Sequence, residues 1–309
     1  MQKNNKIVKA VVGILKNTDG EILLAERRQD QFMAGYWELP GGKIEAGESN
    51  EESLAREFKE ELDVDISEIS LFHTMRHHYP EKTVHLWIYS INHFDGEVRG
   101  AEGQSIVWCP TEGLNNFNLL PTMKAIIHKI NLPELYWITP ENLSEETLIN
   151  ELKMRLNKST AMIQLRAKAT LDPEFIKRFY DVCHQSNAKL ILNTTNKTFM
   201  ENCDGWHLTT QELLSLNERP CGTDKLLGAS THNVIEAQLS EKIDVDYISI
   251  SPIQETQTHP NATPFGWEAA KELVHTINIP VYLLGGMQNK DLEKALKLGA
   301  QGIAGLSSL

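Results

Sequence analysis

The chain has little cysteine, and none of it is paired. Four cysteines in 309 residues, Cys109, Cys183, Cys203 and Cys221, stand far apart and form no C-x-x-C element. That excludes a cysteine-built structural zinc site and a disulfide framework, and it suits a reducing cytosol. A basic surplus is also missing. Thirty Lys and Arg against 42 Asp and Glu leave a formal net charge of -12, a field that repels polyanions and argues against a nucleic-acid polymer as partner. A small, highly charged metabolite remains accessible if a divalent cation comes with it. No apolar run approaches the length of a membrane span, so no membrane association is expected. The opening Met1-Gln2-Lys3-Asn4-Asn5-Lys6 lacks the apolar stretch of a signal peptide, and a cytoplasmic location is expected.

What is present is ordinary globular composition, 41% hydrophobic, over a length that favours two domains. The pattern changes midway. Residues 7–130 read as mixed strands around one strong helix. The β-rich runs 7–15 and 22–25 flank Asn17-Thr18-Asp19-Gly20, whose Asp-Gly step predicts a hairpin. Residues 84–91 and 106–108 read as further strands, and 123–130 as a closing helix. From Leu135 short apolar runs recur at 135–138, 162–165, 189–192, 205–208, 226–229, 247–250, 281–284 and 302–306. Eight strands with helical crossovers predict a (β/α)8 barrel. At about 175 residues this half is short for such a barrel, so the last outer helix is expected to be missing. Asn131-Leu132-Pro133 is the natural joint, which gives domains 1–131 and 132–309.

The strongest local signal is an acidic helix behind a glycine-rich loop. Gly41-Gly42-Lys43-Ile44-Glu45-Ala46-Gly47-Glu48 leads into Ser49, and Ser49 with Glu52 forms a capping box, predicting a helix from 50 to about 63. Leu54, Phe58 and Leu62 share its buried stripe. Glu57, Glu60 and Glu61 fall within roughly 100° of one another beside that stripe. Like charges at i,i+4 repel, and crowding them against a buried face costs more unless a cation neutralises them. Carboxylates with a nearby loop carbonyl are hard-oxygen ligands that suit magnesium or manganese. The plainer alternative is a solvated acidic face in which Arg56 pairs with Glu52 and Glu60.

Spacing separates the two. Gly42, Glu48, Arg56, Glu57, Phe58, Glu60, Glu61 and Val64 fit the pattern G-x5-E-x7-R-E-U-x-E-E-x-G-U in register, with U a bulky apolar residue. Only the late glycine differs; Asp63 stands there, and Asp tolerates left-handed backbone better than most residues. The box resembles that of the Nudix hydrolases. Residues 7–130 are further similar to the MutT-type branch, which cleaves nucleoside triphosphates, notably 8-oxo-dGTP, to the monophosphate and pyrophosphate. The likeness is carried by Ala10-Val11-Val12-Gly13-Ile14, Arg27-Arg28, Glu38-Leu39-Pro40-Gly41-Gly42-Lys43, Leu86-Trp87, Glu102-Gly103-Gln104 and Gly113-Leu114-Asn115.

The resemblance implies an α/β/α sandwich with a mixed sheet. It also implies that the Gly41 carbonyl with Glu57, Glu60 and Glu61 holds Mg2+ or Mn2+, and that Glu102 ligates a metal and helps to activate the attacking water. Arg28 would face the nucleotide, with Glu38, Leu39, Pro40 and Gly41 lining its pocket, while Glu48 and Arg56 would pair to hold the loop. Metal-bound water attacking in line at phosphorus is the chemistry implied. One position departs from the family. Its base-reading asparagine falls on Met123, whose thioether is only a weak acceptor. A pocket histidine of the family appears as Phe32. Either a local gap lets Asn116 or Asn118 substitute, or guanine selectivity has relaxed.

The carboxyl half resembles thiamine-phosphate synthase and the related thiazole tautomerase. Gln164-Leu165-Arg166-Ala167-Lys168 is similar to their Q-L-R-E-K signature, supported by Ile191-Leu192-Asn193, Asp204-Gly205-Trp206-His207-Leu208, Gly228-Ala229-Ser230-Thr231-His232, Thr256-Gln257-Thr258, Gly285-Gly286-Met287 and the terminal Gly302-Ile303-Ala304-Gly305-Leu306-Ser307-Ser308. The likeness implies a phosphate or ligand site from Arg166, Lys168, Asn193, His232, Thr256, Thr258, Gly285, Gly286 and Ser307. The two aspartates that hold magnesium in the synthase read Thr194 and Glu212, the signature glutamate is Ala167, and the pyrophosphate-contacting lysine is His259. A phosphate-binding barrel without synthase chemistry is therefore expected. His232 reads either as a general acid–base or as a loop hydrogen-bonding residue.

Three functions fit these residues. The first is a metal-dependent pyrophosphohydrolase acting on 8-oxo-dGTP or related nucleoside triphosphates, fused to a degenerate barrel. In the second, the hydrolase acts on a thiamine-pathway pyrophosphate and the barrel binds a related phosphate. The third makes the barrel a binding or scaffold module for a thiazole or thiamine phosphate.

Overall fold

Val11 and Leu15 pack to one side of the first strand, Val12 and Ile14 to the other, the alternation a strand shows when both its faces are covered. This strand, β1 (Lys6–Leu15), lies inside a four-stranded mixed sheet. The computed structural model describes residues 6–79, 81–157, 160–166, 172–193, 197–256 and 262–306. It divides into two compact units, Met1–Asn131 and Leu132–Leu309.

In the first unit β1 is followed by β2 (Ile22–Glu26), β3 (Trp37–Glu38), β4 (Gly41–Lys43), α1 (Asn50–Leu62), β5 (Asp65–His78), β6 (Lys82–Asp95), β7 (Ile106–Cys109) and α2 (Pro121–Asn131). The main sheet runs β4-β1-β6-β5, with β1 and β6 parallel and the other pairs antiparallel; a small antiparallel sheet runs β3-β2-β7. Leu54, Phe58 and Leu62 of α1 pack with Val11, Leu15, Tyr89 and Ile91. Met123, Ile126 and Ile127 of α2 pack with Val12, Ile14, Leu86 and Ile88 on the opposite face. The result is the α/β/α sandwich with a mixed sheet.

The capping box forms at the start of α1: the Ser49 hydroxyl accepts from the Glu52 amide at 3.1 Å, and the Glu52 carboxylate accepts from the Ser49 amide at 2.8 Å. The helix stops at Asp63, in left-handed backbone with φ 58 and ψ 33, whose amide donates back to the Lys59 carbonyl. The aspartate thus takes the conformation for which the family pattern uses glycine.

The hairpin expected around Asp19-Gly20 needs correction. The turn itself forms, with the Asn17 side chain accepting from the Asp19 and Glu21 amides at 3.0 and 2.9 Å. Its flanking strands share one bridge, Lys16 to Ile22, and then part into different sheets. β1 is hydrogen-bonded along its edges to β4 and β6, so no edge is left for β2. β3, β4 and β5 also escape sequence reading. The first two are only 2 and 3 residues long, and β5 is an edge strand whose exposed and buried residues do not alternate cleanly.

The second unit alternates β8 (Leu135–Ile138), α3 (Glu145–Leu156), β9 (Met162–Leu165), α4 (Pro173–His184), β10 (Lys189–Leu192), β11 (Gly205–Leu208), α5 (Thr210–Ser215), β12 (Leu226–Thr231), α6 (Val234–Lys242), β13 (Tyr247–Ile250), α7 (Trp267–Thr276), β14 (Val281–Leu284), α8 (Leu292–Lys297) and β15 (Gly302–Gly305). All eight strands are parallel, and β15 pairs with β8 to close the barrel. The crossover from β10 to β11 carries a 3-10 turn, Lys197–Asn202. Tyr136, Tyr247 and Tyr282 fill the interior with Met162, Ile191 and Ala304. Among the described residues no helix follows β15, and none anywhere is long and apolar enough to cross a membrane.

Candidate functional site

Two adjacent glycines bring the acidic helix against its loop. Gly41 has φ +140, and a Cβ there would stand 2.2 Å from the Val11 carbonyl oxygen. Its amide donates to the Glu61 carboxylate at 3.1 Å. A Cβ on Gly42 would lie 2.3 Å from the Glu57 carboxylate. Bare backbone therefore lets the loop approach β1 at Gly41 and makes room for the Glu57 carboxylate at Gly42. Arg56 ties the assembly together. Its guanidinium donates to Glu48 at 2.7 and 3.1 Å, to Glu57 and Glu60 at 3.0 Å each, and to the Lys43 carbonyl at 3.1 Å.

The loop bearing Glu102 is held to the end of α1, because Ala101 and the Gln104 side chain both donate to the Glu61 carbonyl, at 2.9 and 2.8 Å. Arg28 reaches Glu102 at 2.8 Å. Gly41, Glu57, Glu60, Glu61 and Glu102 thereby line one cleft of about 820 Å³, with Glu38, Leu39 and Met123 on its walls. Arg28 and Pro40 line a smaller recess that shares Glu38, Leu39, Gly41, Glu61 and Glu102. Glu60 is the most exposed of the three helix acids near Arg56, at 53% for its side chain against 14% for Glu57.

Electrostatics mark the same spot. Burial, reinforced by the charges of Glu57, Glu38 and Glu102, raises the Glu61 carboxyl to about 8, against the lowering effect of the Gly41 amide. Burial also raises Glu57, with Glu60 and Glu102 adding repulsion and Arg56 opposing it. Glu38 is raised by burial although Arg27 pairs with it. Seven acids, Asp30, Glu38, Glu45, Glu57, Glu60, Glu61 and Glu102, line the cleft against four cations, Arg27, Lys43, Arg56 and Lys82, and their donors are hard oxygens. That set fits a divalent cation. Among the described residues no three His, Cys, Asp or Glu side chains stand close enough to form a finished cation cage; Glu57 and Glu60 are drawn onto Arg56, and Glu102 onto Arg28.

The cleft lining also holds residues that sequence reading passed over. Met123 is 2% exposed and packs in the α2 core. Asn116 and Asn118 are exposed and neither lines the cleft; the Asn118 carbonyl accepts from the Trp37 amide at 2.8 Å. Tyr79, Lys82 and Thr122 line it instead. Phe32 meets Tyr79 edge to face at 5.9 Å, and the Lys82 ammonium stands 4.9 Å from the Phe32 ring centre. Tyr79 and Lys82 sit at the β5–β6 turn, so missing β5 concealed them; an aromatic and a cation flanking a proline were the available signal.

In the barrel, Arg166, Asn193, His232, Thr256 and Gly285-Gly286 all follow the carboxyl ends of parallel strands and so gather on one face. Arg166, Asn193 and His232 have partners within the barrel. Arg166 pairs with Glu141 at 2.9 Å, Asn193 donates to the His207 carbonyl at 2.8 Å, and His232 Nδ1 lies 2.7 Å from the Ser251 carbonyl. An Nδ1–H donating there leaves His232 Nε2 as an acceptor. Gly285 and Gly286 have φ 92 and 74. Glu212 caps α5, its carboxylate accepting from the Thr209 amide and hydroxyl at 2.8 and 2.9 Å. Lys168, Thr258 and Ser307 lie outside the described residues, as do Ala167, Thr194 and His259. Deeper in, Tyr136, Gln164, Tyr247, His207, Ser230 and Ser249 form a hydrogen-bonded chain that sequence reading did not anticipate.

Each of the two units matches a known family. A NUDIX domain model matches residues 11–129, and a thiamine monophosphate synthase model matches residues 135–309. The first part is 35% identical over 125 residues to an 8-oxo-dGTP diphosphatase of Escherichia coli, covering 40% of this chain and 97% of the relative. It is 33% identical over 116 residues to a CTP pyrophosphohydrolase of the same organism, covering 38% and 85%. The second part is 31% identical over 183 residues to a thiamine-phosphate synthase of Chlorobium phaeobacteroides, covering 57% and 88%. Together with the motif in place at the cleft, these matches show that the chain belongs to the Nudix hydrolases, of MutT type, through its first domain, and to the thiamine monophosphate synthase family through its second.

Proposed function

We propose that the first domain is a divalent-metal-dependent pyrophosphohydrolase that cleaves 8-oxo-dGTP or a related nucleoside triphosphate to the monophosphate and pyrophosphate. The observation that carries it is the crowding of Glu57, Glu61 and Glu102 at the Gly41 loop, with Glu61 raised to about 8. Glu57, Glu60, Glu61, Glu102 and the Gly41 carbonyl would hold Mg2+ or Mn2+, which supplies charge neutralisation at the phosphates and a water of lowered pKa. The chain's own residues then do the rest. Arg28 stands where it can meet a phosphate oxygen while holding Glu102, and Arg56 fixes the loop against α1. The names of two relatives, an 8-oxo-dGTP diphosphatase and a CTP pyrophosphohydrolase, support a nucleotide as substrate.

The purified chain with magnesium or manganese should release pyrophosphate from 8-oxo-dGTP and dGTP, and Glu61→Gln should not. Release undiminished in that variant would overturn the reading.

A second reading is favoured by the barrel's family. In it the hydrolase cleaves a thiamine-type pyrophosphate, and thiamine diphosphate in the same assay separates the two. For the barrel we infer a phosphate-binding module without synthase chemistry, supported by the commitment of Glu212 to a helix cap. Thiamine monophosphate should raise the melting temperature of the chain while no thiamine phosphate forms from the synthase substrates.

A further inference from the structure

The cleft of the first domain has a lining of two chemical kinds. Besides the carboxylates its lining includes an apolar set, Val8, Ala10, Val84, Leu86, Met123 and Ile126, a surface suited to the face of a nucleobase. Several of the polar groups in the lining are already engaged. Arg27 is engaged with Glu38 and also donates to the Phe32 carbonyl at 2.7 Å. Gln31 accepts from the Arg28 amide at 3.0 Å, and Asp30 lies 3.4 Å from Arg28. Met123 offers a thioether. Tyr79 and Thr122 bring two further hydroxyls to the lining, close enough for Thr122 to counter the rise that burial gives the Tyr79 phenol. Phe32 and Tyr79 meet edge to face beside them, with Lys82 standing 4.9 and 5.6 Å from the two ring centres.

We propose that Tyr79 and Thr122 are the base-contacting, specificity-determining residues of this site, and that they make it tolerant of base identity. The proposal rests on the nucleotide reading above. A hydroxyl donates or accepts according to its rotation. Two neighbouring hydroxyls can together present a donor and an acceptor in either order. Carbonyl and amino edges are then both satisfied, and no buried group is orphaned by the wrong base. Orphaning is what produces discrimination of about 10,000-fold or more; without it, shape and apolar contact supply only about 10- to 200-fold.

Steady-state kinetics on the full chain with dGTP, 8-oxo-dGTP, dCTP and dATP test this directly. Values of kcat/KM within about 30-fold of one another are expected. Tyr79→Phe and Thr122→Val should each raise KM about 5- to 10-fold for every base and leave kcat nearly unchanged, since a contact made equally in ground and transition states is lost. Thr122→Ser, which keeps the hydroxyl, should restore KM. Melting temperatures close to the parent's show that folding is not the cause; if Thr122→Val is destabilised, Tyr79→Phe and Thr122→Ser decide. One nucleotide preferred by more than about 1000-fold overturns tolerance, and an unchanged KM in Tyr79→Phe and Thr122→Val overturns the assignment. Cleavage of thiamine diphosphate with no cleavage of any nucleotide overturns the nucleotide reading itself.

Discussion

The Gly41 amide donates to the Glu61 carboxylate across 3.1 Å, while the Glu61 carbonyl accepts from Ala101 and the Gln104 side chain at 2.9 and 2.8 Å. One helical residue thereby joins the glycine loop, α1 and the loop that carries Glu102. Its carboxyl is nonetheless held near 8 by burial and by neighbouring acids. A group placed at a structural junction and kept in an unfavourable state is what a binding site under strain looks like.

Glu61→Gln should therefore separate activity from stability. Glutamine keeps an oxygen to accept from Gly41 but loses the charge, so metal-supported turnover should fall by about 100-fold or more. The unfolded carboxyl titrates near about 4.3, whereas the folded one titrates at about 8. Between those values the folded state binds more protons, so the parent loses stability as pH rises. With EDTA present, the variant should melt above the parent at pH 8.5, and the difference should close towards pH 5. Scanning fluorimetry across that range reads it; a constant difference would contradict the assignment.

Metal binding should carry the same signature. Below about 8 the Glu61 proton competes with a cation for the carboxylate. Manganese affinity should increase from pH 6 to 8 and level off above. Calorimetry in buffers of different ionisation enthalpy should show proton release at pH 7 that shrinks by pH 9.

Gly42→Ala tests the close approach at the loop. The added Cβ meets the Glu57 carboxylate, the movable end of a side chain, at 2.3 Å. The fold should survive, with an unchanged circular dichroism spectrum, while displacement of the carboxylate lowers kcat/KM by about 10- to 100-fold. A variant as active as the parent would remove Glu57 from the metal set.

What could be read from the sequence follows the reach of each interaction. Residues 50–62 were legible because capping and the 3.6-residue stripe are local. The barrel strands were legible because each is a short buried run between crossovers, and parallel strands buried on both faces hide no periodicity. The Asp19-Gly20 turn was read, yet its strands parted, since partner choice depends on β4 and β6, far along the chain. β5 was lost because an edge strand mixes exposed and buried positions, and with it went Tyr79 at the cleft. The pairing of Arg166 with Glu141 joins residues from two successive strand ends, which no local pattern announces.

The barrel should have its own acid limb, distinct from the alkaline behaviour of Glu61. His207 is 1% exposed, with Nε2 3.0 Å from the Ser230 hydroxyl and Nδ1 3.3 Å from the Tyr247 hydroxyl. Burial lowers its pKa to about 3, against about 6.5 in an unfolded chain. Between these values the unfolded state binds more protons, so stability rises with pH up to about 6.5 and is lost progressively on acidification. Replacing His207 with Gln, which keeps hydrogen-bonding capacity without titrating, should flatten the fall in urea midpoint between pH 6.5 and 4. The chain has two compact units, so two transitions are to be followed separately. The barrel's is the one that Glu61→Gln leaves in place. An acid limb equally steep in the His207 variant would place the titrating group elsewhere in the barrel.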